Sequence, residues 1–129
     1  MLVTLSYVSR SKIGGDLGKL IALQNECIAS NSQSDVSGVL YYDGEHFFQV
    51  IEGNFQTIND LYARICRDGR HYECRKLTTR TVHQRRFPGN PMKIISAISN
   101  PCMSSIVPSI LADPRQDLVE RRINDLAYA

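Results

Sequence analysis

The stretch Asp43-Gly44-Glu45-His46-Phe47-Phe48-Gln49-Val50-Ile51-Glu52-Gly53 limits what this chain can fold into more than any other. Asp-Gly before an apolar run predicts a two-residue hairpin turn, with positive φ at both central positions. The run that follows has strand character and ends at Gly53. Val36-Ser37-Gly38-Val39-Leu40-Tyr41-Tyr42 supplies the other arm of the hairpin. Inside the second arm sits one amide, Gln49, flanked by Phe48 and Val50. A buried amide without partners costs roughly 1–3 kcal/mol. The fold must therefore bring Gln49 a hydrogen-bonding partner.

The flanking segments say what is available. Leu2–Val8 alternates, with Val3, Leu5 and Tyr7 on one face, and reads as a first strand. Ser9–Gly15 reads as a polar loop, and Asp16 as the cap of a helix whose stripe is Leu17, Leu20, Ile21, Leu23, Cys27 and Ile28. That helix is expected to end near Ala29, with Ser30–Asp35 as a loop. Asn54 caps a second helix with the stripe Ile58, Leu61, Tyr62 and Ile65, ending near Asp68-Gly69. Glu73–Val82 reads as an outer strand, Arg85–Pro91 as a turn and Met92–Ile98 as a fifth strand. Pro101, Pro108 and Pro114 then divide two short helices, near Met103–Ala112 and Arg115–Ala127, the last with the stripe Leu118, Val119, Ile123 and Leu126.

The order is β-α-β-β-α-β plus a fifth strand and a helical tail: an α+β chain of the ferredoxin-like kind, with two helices on one face. In that arrangement the first and third strands are expected as central, parallel neighbours. Tyr7 and Gln49 can then meet beneath the two helices.

Composition narrows the classes. At 129 residues the chain fits one domain, and 43% hydrophobic residues are enough for a core. A net charge of +2 gives no argument for nucleic acid or an anionic membrane. No apolar run approaches the roughly 20 residues of a membrane span. The start, Met1-Leu2-Val3-Thr4-Leu5, is not a signal peptide. Cys27, Cys66, Cys74 and Cys102 make no zinc pattern and read as reduced cytoplasmic thiols.

The ordered set Ser6-Tyr7-Val8-Ser9-Arg10, Asn31, Val36–Tyr42, Phe47–Gly53, Leu61-Tyr62-x-x-Ile65 with Asp68-x-Arg70-His71, and Arg86-Phe87-Pro88 resembles the BLUF domain. These are blue-light sensors that use flavin adenine dinucleotide. The resemblance covers residues 1–98, implying a flavin-binding domain there and a helical extension over 99–129 on the other side of the sheet. It answers the question of Gln49. In the family, the tyrosine matching Tyr7 bonds this glutamine, which bonds the flavin ring near N5 and O4. Light moves an electron and then a proton from the tyrosine towards the flavin, and the glutamine returns rotated or tautomerised. No substrate is turned over.

By the same resemblance, Asn31 bonds the flavin edge near C4=O, Leu23 and Ile65 sandwich the ring, and Asp68, Arg70 and His71 lie near the ribityl and phosphate part. Arg70 is a reasonable phosphate partner. Met92 matches a methionine beside the glutamine. The implied cofactor is FAD, with FMN and riboflavin as open alternatives. The chain departs from the pattern twice. Asn90 stands where the family often has tryptophan, and the chain has no Trp at all, so the output route is left open at that position. Ser30 stands where many members have Asn or His.

No output domain is read after residue 98, so output is expected through a separate regulator protein or a homo-oligomer, in the cytoplasm. Taken singly, each of these residues is an ordinary core, cap or surface position, and Arg85-Arg86 and Arg121-Arg122 read as exposed charge. The competing readings are an acylphosphatase-like hydrolase, which shares the element order, and a flavin-free interaction module. Ser9–Gly15 lacks the glycine-rich phosphate loop that the hydrolase needs.

Overall fold

A computed structural model describes residues 1–98 and 101–128. The strands are β1 (Leu2–Ser11), β2 (Ser37–Tyr42), β3 (His46–Asn54), β4 (His71–Thr81) and β5 (Lys93–Ser96). The helices are α1 (Leu17–Gln33), α2 (Phe55–Cys66), α3 (Ile106–Ala112) and α4 (Gln116–Ala127), with a short 3₁₀ turn over Pro101–Met103. The sheet runs β4-β1-β3-β2-β5, so β4 is the outer strand its composition predicts. The expected division between residues 98 and 99 abuts positions 99 and 100, which lie outside the described residues.

Alternation along the strands builds two cores. Val3, Leu5, Tyr7, Leu40, Phe47 and Ile51 face α1 and α2, together with Met92. Val8, Val39, Tyr41, Phe48 and Val50 face α3 and α4, which contribute Ile106, Val107, Ile110, Val119, Ile123 and Leu126. The expected layering, two helices on one face and the tail on the other, is therefore what forms.

β1 and β3 are central neighbours, but they are antiparallel rather than parallel. The crossover through α1 leaves β1 and β2 pointing the same way, and the hairpin reverses the chain, so β3 opposes both. The register sets Tyr7 directly across from Gln49. The hairpin also differs from expectation. Its central positions are Gly44 and Glu45, with Asp43 N bonded to His46 O at 3.3 Å. Only Gly44 has positive φ, +93°. Asp43 serves as an acceptor instead: its carboxylate takes Glu45 N at 2.9 Å and His46 N at 2.6 Å. In β2, Gly38 has no room for a side chain, since a Cβ there would lie 2.0 Å from the Val50 carbonyl oxygen.

Asp16 and Asn54 cap α1 and α2 as read, accepting from Lys19 N and Gln56 N, each at 3.1 Å. α1 runs a turn past Ala29, so Asn31 is a helical residue and not part of a loop. Its predicted stripe is only partly used: Leu20 is buried, whereas Leu17 and Ile21 are exposed. β1 likewise continues through Ser11, into the stretch read as loop. Among the described residues no helix is long and apolar enough to cross a membrane.

Candidate functional site

A cleft of about 270 Å³ opens between α1 and α2, floored by β1, β2 and β3. Its volume lies near the lower end of small-molecule sites, roughly 300–1,000 Å³. α1 contributes Leu23, Glu26, Cys27, Ser30 and Asn31; α2 contributes Leu61, Arg64 and Ile65. Tyr7, Leu40, Phe47 and Gln49 form the floor, and Asp68, Arg70 and His71 frame the end beyond α2. Tyr7, Leu23, Asn31, Gln49, Ile65, Asp68, Arg70 and His71, singled out in the sequence, thus share one cavity. Met92 does not line it. It sits buried behind Gln49.

The polar floor is a short chain of hydrogen bonds. The Tyr7 hydroxyl donates to Gln49 Oε1 in a short bond. Gln49 Nε2 donates to Met92 Sδ at 3.5 Å. A thioether is a weak acceptor, and the amide has a second N–H to give. Turning the amide over would set Oε1 against a sulfur that has no proton to offer, so the observed orientation is the one that makes both bonds. Both residues are almost fully buried, Tyr7 at 3% exposure and Gln49 at 4%. Burial holds the Tyr7 phenol far above its ordinary ionisation range, with the thiols of Cys74, Cys27 and Cys66 and the Tyr62 phenol adding to the effect. Tyr7 therefore enters any reaction protonated.

Asn31 is fixed by Nδ2 donating to the Pro91 carbonyl at 2.7 Å, which ties the end of α1 to the residue before Met92. His71 Nε2 donates to the Ile65 carbonyl at 2.5 Å, since a carbonyl can only accept, and Nδ1 pairs with Ser9 Oγ at 2.7 Å. His71 is thus a strut between β1, α2 and β4. Arg70 forks onto Asp68, through Nε at 3.0 Å and Nη2 at 2.6 Å, and Nη1 reaches Glu26 Oε2 at 2.7 Å. The bonds from Arg70 hold the Asp68 carboxyl below its usual range. The sequence suggested Arg70 as a phosphate partner; in the structure both faces of its fork already meet carboxylates.

Sequence reasoning missed Glu26 and Arg64, and took Cys27 only for part of the α1 stripe and a reduced thiol. Glu26 follows Leu23 at three residues, one before Cys27 on the stripe, so the helical period could have placed it at the cleft. Arg64 carries the same signal, following the stripe residue Leu61 at three residues. It also took Arg85 and Arg86 for exposed charge. Both are partly buried and bonded: Arg85 to Ser37 Oγ at 2.8 Å and Asp35 O at 2.9 Å, Arg86 to Glu120 Oε2 at 2.6 Å. Arg121 is exposed as read, and Arg122 donates to Asp125 Oδ2 at 2.7 Å. Among the described residues no group of His, Cys, Asp or Glu side chains could hold a metal ion.

The arrangement suits a flat, apolar ring with polar edges. Leu23 and Ile65 lie on opposite helices for its faces. The spare Gln49 N–H lies at the floor and the Asn31 amide on the α1 wall, as polar groups at the cleft.

Comparison with known proteins shows the family and the fold. The family model described as sensors of blue light using FAD matches residues 2–93. The blue light- and temperature-regulated antirepressor BluF of Escherichia coli (strain K12) is 37% identical over 87 residues, spanning 67% of this chain and 22% of that protein. A photoactivated adenylate cyclase subunit beta of Euglena gracilis is 35% identical over 108 residues, 80% of this chain and 13% of that protein. This chain thus matches about a fifth or less of the length of those relatives. Two solved structures agree over nearly their whole length. BlsA in its photo-activated state gives a TM-score of 0.85 at 26% identity, covering 100% of this chain and 96% of that one. BlrB in its dark state gives 0.82 at 27% identity, covering 99% and 97%.

Proposed function

The chain belongs to the BLUF family of blue-light sensors using FAD, and from that premise we propose that its cleft holds the flavin ring between Leu23 and Ile65, with Tyr7 and Gln49 as the switch. The observation that carries this reading is the continuous bond path from the Tyr7 hydroxyl through the Gln49 amide to Met92, at the floor of an apolar cleft. When bound, the flavin supplies blue absorption and an excited state that accepts an electron.

The protein's part follows from its own groups. Tyr7 is a buried neutral phenol, and loss of an electron makes a phenol strongly acidic. The electron therefore leaves Tyr7 first and the proton follows, along its bond to Gln49 Oε1. Tyr7, having given up its only O–H proton, can then only accept. The bond must be remade in a different sense, by rotation or by tautomerisation of the amide. Gln49 then presents a changed donor set to the cleft and to Met92. Asn31 and the Leu23–Ile65 pair hold the ring in place and keep water from its faces. Arg64 and the remaining N–H groups of Arg70 are the cations at hand for a ribityl-phosphate tail.

In this reading the chain turns over no substrate, resides in the cytoplasm, and passes its state to a separate regulator protein or to further copies of itself. FAD is the expected cofactor. The test is to purify the chain and record its absorption in the dark and under blue light. The expected result is a yellow protein whose spectrum shifts slightly to the red and recovers. A protein that takes up no flavin, or one with no shift, would refute the reading. Gln49→Leu and Tyr7→Phe should each abolish the shift while flavin stays bound. A normal photocycle in either variant would overturn the assigned roles.

A further inference from the structure

Arg70 stands at the end of the cleft between two carboxylates that hold it unequally. Asp68 takes one edge of the guanidinium, from Nε at 3.0 Å and Nη2 at 2.6 Å, and also accepts from the Arg70 backbone N at 2.9 Å. Glu26 has a single bond to it, from Nη1 at 2.7 Å. Glu26 comes from α1, whereas Arg70 lies between α2 and β4, so this bond reaches across from one wall of the cleft to the other. The Glu26 side chain is 63% exposed, against 31% for Asp68. Asp68 is therefore the fixed partner and Glu26 the displaceable one, since an exposed carboxylate regains water when it swings away.

A guanidinium grips phosphate best through two parallel N–H groups. With Asp68 on the Nε–Nη2 edge, the Nη1–Nη2 edge is the one left for such a grip, and Glu26 stands on its Nη1. We propose that Glu26 is a specificity-determining residue of the cleft: it withholds this edge of Arg70 and so sets how strongly a phosphate-bearing tail is favoured over an uncharged polyol tail. The inference rests on reading the cleft as a flavin site, and adds to that reading a residue that acts on the tail alone. A phosphate monoester carries about −1.5 to −2 charges at neutral pH. To use Nη1 it must displace Glu26 or sit beside it, well inside the screening length of about 8 Å at physiological salt. Either way charge opposes the phosphate and not the polyol.

The residues assigned to the ring, Leu23, Ile65 and Gln49, lie elsewhere on the walls and floor. Removing the Glu26 charge therefore leaves ring binding as it is and changes only what the tail meets. An exposed ion pair is worth up to about fivefold in an equilibrium constant, and the repulsion relieved adds to that, so the expected gain for a phosphorylated ligand is about three- to tenfold. Asp68 holds Arg70 in place throughout, so the freed edge stays at the cleft.

The test measures riboflavin and FMN binding to the flavin-free full chain by equilibrium dialysis. Glu26→Gln keeps the shape and removes the charge. It should tighten FMN about three- to tenfold and leave riboflavin within about twofold. Glu26→Ala should do the same. In an Arg70→Gln background the gain should vanish, because no guanidinium edge is left to release. At about 0.5 M salt the gain should shrink. Asp117→Asn removes an exposed carboxylate on α4, behind the other face of the sheet, and should keep the parent ratio of the two affinities. No change in Glu26→Gln, an equal change for both ligands, a gain that persists without Arg70, a gain indifferent to salt, or an equal gain in Asp117→Asn would each overturn the proposal. A parent chain that binds neither ligand would refute the flavin site on which the proposal rests, whereas one that binds both and ignores Glu26 refutes this inference alone.

Discussion

Glu52 is the residue whose removal should cost this fold most for its size. It is 1% exposed, on β3. Its carboxylate accepts from Phe87 N at 3.0 Å, Arg86 N at 2.7 Å and Ser37 Oγ at 3.0 Å. It therefore pins the segment between β4 and β5 onto the centre of the sheet. In Glu52→Ala the Phe87 N–H is left buried without a partner, at roughly 1–3 kcal/mol. The Arg86 N–H is only partly buried and recovers some water, and Ser37 Oγ keeps its bond from Arg85 Nη1. Adding a modest cavity term, the expected loss is about 3–4 kcal/mol. In Glu52→Gln one oxygen survives but an NH₂ faces a backbone N–H, donor against donor, for a loss of about 1–2 kcal/mol. Urea unfolding with a slope of about 2 kcal/mol/M should place the Ala midpoint about 1.5–2 M below the parent, and Gln between them. A loss below about 1 kcal/mol for Glu52→Ala, or equal losses for Ala and Gln, would refute the claim that these N–H groups depend on the carboxylate.

Three further outcomes follow from the same geometry. Gly38→Ala should break the β2–β3 pairing or the fold, since a Cβ at 2.0 Å from the Val50 carbonyl must push the strands apart; a soluble variant with unchanged thermal midpoint would contradict this. Asp68 has a folded pKa below its unfolded value, first because of its bonds from Arg70. Its stabilisation is present above about pH 4 and lost as pH falls through the folded value. Asp68→Asn should therefore lower stability near neutrality and leave a shallower acid limb, measured as urea midpoints against pH. Glu120 takes Arg80 in two bonds, each at 3.1 Å, and Arg86 at 2.6 Å. Glu120→Ala should speed hydrogen exchange in α4 while β3 stays protected; unchanged α4 exchange would show the clamp to be idle.

The segment that Glu52 pins is also where the two faces of the sheet meet. It runs from Arg85 to Met92. Arg86 reaches Glu120 on α4, Pro91 receives Asn31 from α1, and Met92 receives Gln49. One residue on, Lys93 Nζ donates to the Leu126 carbonyl at 3.3 Å. Few bonds therefore separate the Gln49 amide from the tail. Asn90, where the family often has tryptophan, is exposed and lies within this segment. With no large aromatic there, the segment meets the cleft residues Asn31 and Gln49 through the Pro91 carbonyl and the Met92 sulfur, and β2 through the Asn90 carbonyl, which accepts from Gly38 N at 3.0 Å.

Local rules made most of this legible. Alternation sorted Val3, Leu5 and Tyr7 to one face, and Asp16 and Asn54 marked their helices, because caps and periods are decided within a few residues. Gln49 was legible for the opposite reason: an amide in an apolar run is a local conflict that only a tertiary partner resolves. The same logic should have exposed Glu52, a carboxylate three residues further along that strand. It passed unnoticed because a charge beside Gly53 looks like a strand end, where water would satisfy it. Its actual partners, the N–H groups of Arg86 and Phe87, are backbone groups, and no side-chain pattern announces a backbone donor. Arg85 and Arg86 were misjudged with it. A charged pair before Pro88 reads as solvated surface until the carboxylates of Asp35 and Glu120 arrive from two other parts of the chain. The direction of β3 failed for a related reason. Strand adjacency follows from element order, but orientation follows from how many times the chain reverses, and the Gly44 hairpin adds the reversal that sets Tyr7 opposite Gln49.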